Sequence, residues 1–120
     1  VPPIAESLKN YDPVEKMTFS CCGEPNFNIK SEERYREYLL ICGIESHVCV
    51  LQTAIDLQDA GHRPIVVADA VSSRNPLDKE YALQRLAAEG IRVTSVEAIL
   101  FELCKTSGTD TFKTISKLVK

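Results

Sequence analysis

Leu39, Leu40, Ile41, Cys42, Gly43, Ile44, Glu45, Ser46, His47, Val48, Cys49 and Val50 form the stretch whose reading decides the fold. Leu39 to Cys42 is a short unbroken apolar run, the pattern of a strand buried on both faces. Beyond it, Val50, Leu51, Ala54, Ile55 and Leu57 make an apolar side, with Gln52, Asp56 and Asp59 recurring as the wet side of a helix. Cys49 therefore falls at the first turn of a helix entered directly from a strand. Unpaired amides and the positive end of a helix dipole stabilise a thiolate there, and the same amides can hold an oxyanion. A thiol packed under a helix start is as a rule inert, so position alone leaves both readings open.

Working outward, Gly61 stops that helix, and Pro64 opens a second apolar strand, Ile65 to Ala68. Strand, helix and strand in about thirty residues make a βαβ unit, hence a parallel pair. Residues 69–74 leave the second strand at its carboxyl end, on the rim that Cys49 occupies and where open parallel sheets bind ligands. Asn75 as N-cap, Pro76 at the first helical position, and Asp78 and Glu80 in the first turn begin the next helix, which Gly90 ends. Arg92, Val93 and Thr94 give a third strand. Thr94 with Glu97 reads as a capping box for a helix from Val96 to Cys104, and Phe112, Ile115 and Val119 mark a last amphipathic helix.

Upstream, residues 14–20 alternate apolar and polar as a short extended segment does, with Lys16 opposite Met17. Most lysines are simply solvated. Cys21 to Asn26 is turn-rich, and residues 31–37 read as a solvated charged run.

Composition narrows the function. The 120 residues are one domain, 1–120, with 44% hydrophobic and 26% charged residues. A net charge of −3 gives no footprint for nucleic acid or an anionic membrane, so a small-molecule ligand is expected. No run approaches a membrane span. Five cysteines, odd in number and without a C-x-x-C pair, point to a reducing compartment, the cytoplasm. Neither His47 nor His62 has companions at metal-ligand spacing, so no metal is expected, and no cofactor. Gly43 lacks the glycine companions of a phosphate-cradling turn.

On these residues the chain resembles the isochorismatase-like cysteine hydrolases, closest to the isochorismatase-domain-containing proteins. The likeness rests on residues 39–50, on residues 65–74 and on Lys16 to Ser20. It implies a doubly wound α/β fold, a Rossmann-like six-stranded parallel sheet with helices on both faces. Of that fold the chain answers to the C-terminal two-thirds. By the same resemblance Cys49 is the nucleophile and Lys16 its lysine. Ile44 and Glu45 are joined by a cis peptide, and the amides of Glu45 and Cys49 form the oxyanion hole. The resemblance also implies an aspartate as general base, in a first-strand motif followed by glutamine and an aromatic. That motif does not stand upstream of Lys16, and Asp12 lies too near Lys16 to serve. Upstream strands are therefore expected to be missing, leaving Leu39 to Ile41 without a neighbour and the chain inclined to pair or aggregate. The function implied is hydrolysis of a small amide or related C–N bond by a homo-oligomer. The alternative is a non-catalytic binding or scaffold domain of the same fold. Isochorismate and nicotinamide are not favoured as substrates: ether-cleaving members need not carry the cysteine, and no nicotinamidase-type metal cluster is visible.

Overall fold

The computed structural model describes residues 2–8, 12–27 and 37–120. Three strands, β1 (Tyr38–Ile44), β2 (Arg63–Ser72) and β3 (Arg92–Thr94), form a parallel sheet in the order β1-β2-β3. A short α1 (Pro2–Ser7) stands apart in sequence. Between the strands run α2 (Leu51–Asp59) and α3 (Pro76–Ala88), and α4 (Val96–Cys104) and α5 (Asp110–Leu118) follow. The two consecutive βαβ crossovers are those expected, and helices cover both faces of the sheet.

Alternation along β2 produces the two layers. Val66 and Val71 are buried in one cluster with Val50, Leu51 and Ala54 at the start of α2, and with Leu86 and Ile91 at the end of α3. Ile65 points the other way and shares a cavity wall with Ile99 of α4. Pro64 to Val67 is buried throughout, as an apolar run in a strand covered on both faces should be. Phe112 of α5 packs on Phe101 of α4 with centroids 5.9 Å apart, and Ile115 is buried.

β1 departs from its expected burial on both faces. Leu39 and Ile41 are half-buried, whereas Leu40 is 48% and Ile44 67% exposed. The reason is topological: among the described residues β1 pairs only with β2, so its outer edge and much of its surface stay open. Among the described residues the sheet has three strands, against the six that the resemblance implies.

Three local expectations are corrected. β2 runs on to Ser72 instead of ending at Ala68, through an irregularity that shifts its register from Ile41–Val66 to Gly43–Val71. The N-cap of α4 is Ser95, whose Oγ accepts from Ala98 N at 3.2 Å; Thr94 belongs to β3. Asp69 adds a second cap, its carboxylate accepting from Val96 N at 2.8 Å. Residues 14–20 form no strand. The carbonyls of Thr18, Phe19 and Ser20 are taken by the nearby side chains of Lys16 and Thr18 instead of a sheet neighbour, and Met17 is 98% exposed while Lys16 is half-buried.

Elsewhere the punctuation holds. Asn75 accepts from Leu77 N at 3.0 Å with Pro76 opening α3. Gly61 and Gly90 take left-handed φ values of 87° and 80° just past their helices. Residues 31–36 of the charged run lie outside the described residues; Glu37 pairs with Arg63 at 2.7 Å.

Candidate active site

At the carboxyl end of β1 the chain turns abruptly. The Ile44–Glu45 peptide is cis, Glu45 is extended, and Ser46–Val50 is a π-helical turn leading into α2. The Glu45 carbonyl accepts from Val48 N at 3.2 Å and from Val50 N at 3.1 Å, the two amides flanking Cys49. Leu51 N then donates to Ser46 O and Val48 O. π-Turns of this kind recur at functional sites. Cys49 is half-buried in this turn, reachable at the rim but backed by the α2 core. Ser46 is fully buried, and its hydroxyl finds no partner among the described residues.

Lys16 lies in a loop fastened to the same helix. Its Nζ donates to the carbonyls of Thr18 and Phe19, both at 2.8 Å, which engages two of the three N–H groups of an ammonium. Ser20 Oγ caps Cys22 N at 3.2 Å within a 3-10 turn, Cys21–Gly23. Cys21 N donates to Thr53 Oγ1 at 3.0 Å. Thr53 is one helical turn beyond Cys49, so the bond seats the Lys16 loop beside the Cys49 end of α2. Among the described residues no hydrogen bond joins Lys16 directly to Cys49.

A polar cluster that sequence reasoning did not assemble stands on the same rim. Glu45 Oε2 accepts from Arg74 N at 3.0 Å and lies 3.6 Å from its guanidinium Nε. His47 Nδ1 is 3.0 Å from Ser73 Oγ and 3.8 Å from Glu45 Oε2, while Nε2 is 3.9 Å from Asp78 at the start of α3. The usable signal was a run of three polar residues, Glu45, Ser46 and His47, inside an otherwise apolar strand-to-helix entry. The partners of Glu45 and His47 are 26 to 31 positions away in the chain, beyond the reach of spacing rules. Among the described residues no three His, Cys, Asp or Glu side chains gather as metal ligands. Partial burial pushes the thiols of Cys22 and Cys42 above the ordinary range, with Asp56 and Asp69 respectively adding to it and Ser20 opposing it at Cys22.

The sequence model of the isochorismatase domain matches residues 1–98. The chain belongs to the isochorismatase family. This isochorismatase domain is 43% identical over 117 residues to the secreted isochorismatase effector Isc1 of Phytophthora sojae, covering 97% of the chain and 54% of that protein. The structure of a MAR1 ribonuclease from Caenorhabditis elegans superposes with a TM-score of 0.72 at 37% identity, covering 87% of this domain and 53% of that chain. Nicotinamidase PncA of Bacillus subtilis gives 0.65 at 29% identity, over 78% and 52%. The isochorismatase domain thus has the doubly wound fold of this hydrolase family, and it spans about half the length of the relatives it matches.

Proposed function

We propose that this domain carries the nucleophile of a cysteine hydrolase acting on a small amide or related C–N bond. The observation that carries the reading is Cys49 in a π-helical turn at the carboxyl end of a parallel strand, its neighbours' amides gathered on the Glu45 carbonyl. The Cys49 thiolate attacks the carbonyl carbon, and the oxygen becomes an oxyanion held by the backbone amides of Glu45 and Cys49. The C–N bond then breaks, the nitrogen leaves protonated, and a thioester remains. Water attacks the thioester, releasing the carboxylic acid and the thiol. Lys16 favours the thiolate by its charge. For the two remaining proton transfers, to the leaving nitrogen and from water, the resemblance implies an aspartate, and no residue of this chain is assigned to them.

A neighbour named a nicotinamidase supports the amide class. The net charge of −3 favours a small molecule over nucleic acid, although another neighbour is named a ribonuclease. No helix of the described residues is long and apolar enough to cross a membrane. Five unpaired cysteines support a reducing cytoplasm, although one relative is named as secreted. Residues 1–120 as part of one isochorismatase-like domain, and a homo-oligomer, complete the proposal.

The test is timed alkylation with iodoacetamide at neutral pH, read by peptide mass mapping. Cys49 is expected to label well ahead of Cys21, Cys22, Cys42 and Cys104, and Cys49→Ala to abolish turnover of any confirmed substrate. Labelling of Cys49 no faster than the rest favours the non-catalytic scaffold.

A further inference from the structure

Two side-chain bonds tie the Glu45–Val50 turn to the loop after β2. Glu45 Oε2 receives Arg74 N at 3.0 Å, and His47 Nδ1 meets Ser73 Oγ at 3.0 Å. Both anchors come from residues of the turn itself, one on each side of the fully buried Ser46. Asp78 faces the far side of the His47 ring at 3.9 Å, extending the tie to the first turn of α3. Glu45 is half-buried, which shields its charge-assisted bond from competition by water.

We infer that the Glu45 carboxylate and the His47–Ser73 pair are positioning groups. They clamp the turn to the β2–α3 loop and so aim the amides of Glu45 and Cys49 at the developing oxyanion. Preorganised donors stabilise a transition state because they need not reorient during reaction, and slack of a fraction of an ångström in the turn forfeits that advantage. The clamp is specific to carbonyl chemistry. It has no part in a displacement at saturated carbon, which forms no oxyanion. The inference rests on Cys49 being the nucleophile.

Two probes separate these effects. p-Nitrophenyl acetate acylates a thiolate: sulfur bonds to the acetyl carbon, the ester C–O bond breaks, and p-nitrophenolate leaves with the electron pair. Water later frees acetate and the thiol. Iodoacetamide alkylates the same sulfur with loss of iodide and develops no oxyanion. In the full chain, Glu45→Ala is expected to slow the p-nitrophenolate burst about tenfold while Cys49 alkylation stays within about twofold, since misaiming an oxyanion donor is milder than deleting one. Glu45→Gln keeps an acceptor for Arg74 N and restores most of the burst. Where Glu45→Ala does not fold, Ser73→Ala removes the His47 partner and gives the same selective loss, smaller in size. The inference is overturned if a folded variant leaves both rates unchanged, slows both alike, or shows no rescue by glutamine. A burst that survives Cys49→Ala refutes the nucleophile instead, so the two failures are distinct.

Discussion

Cys49 is one of five unpaired thiols, and setting rather than residue type sets it apart. Cys22 and Cys42 are more exposed, yet partial burial of each thiol raises its pKa and leaves less thiolate at neutral pH. Their alkylation is therefore expected to lag at pH 7 and to climb steeply as the pH is raised through their elevated pKa values. The lead of Cys49 narrows over that range, and a pH series of site-resolved labelling checks it. A lead that stays constant across the series contradicts the assignment. Lys16 makes the second prediction at this scale. Lys16→Gln keeps a donor for the Thr18 and Phe19 carbonyls but removes the charge. Cys49 alkylation at neutral pH should fall by up to about tenfold once the positive charge beside the thiolate is gone. Lys16→Arg should hold most of the rate.

α2 carries the site because both its sides are occupied: Leu51, Ala54 and Leu57 are buried, while Thr53 receives the amide of Cys21. Thr53→Val keeps the shape and removes the acceptor. It should cost about 1 kcal/mol by urea denaturation and slow Cys49 labelling, because the loop that holds Lys16 loses its seat on the helix. Unchanged labelling would mean that the Cys21–Thr53 bond does not set the place of Lys16. The same element shows what was legible in the sequence. Its apolar stripe and Gly61 are local signals, as are Asn75, Pro76 and Gly90 for α3, because each acts within a turn or two of its own position. The loop at residues 14–20 was misread since period-2 alternation says nothing about whether a neighbouring strand exists to pair with. The α4 cap slipped by one residue because Thr94 and Ser95 are both competent hydroxyl caps, and pairing of Thr94 with Val67 in the sheet decided between them. The place of Cys49 between strand and helix was legible from one contiguous stretch. The His47–Ser73 and Glu45–Arg74 contacts were not, because crossover connections create them.

A doubly wound sheet is stable when its apolar strands are flanked, and among the described residues the apolar strand that leads into Cys49 is an outer one. Among the described residues nothing pairs with the outer edge of β1, and the strand carries Leu40 at 48% and Ile44 at 67% exposure. Such an edge, uncharged over Leu39 to Ile44, templates pairing with another chain. The opposite edge, β3, is only three residues long and begins with Arg92, so it is far less able to do so. Association should therefore run through β1. The 120-residue chain on its own is expected to show a concentration-dependent mass above 13.3 kDa in light scattering. Leu40→Lys, which places a charge on the exposed strand without touching the Cys49 turn, should bring the mass toward the monomer. A monodisperse 13.3 kDa species at every concentration would show that β1 is protected as it stands. A mass unmoved by Leu40→Lys would place the contact elsewhere, on the apolar residues that α4 and α5 leave exposed, Leu103 and Leu118.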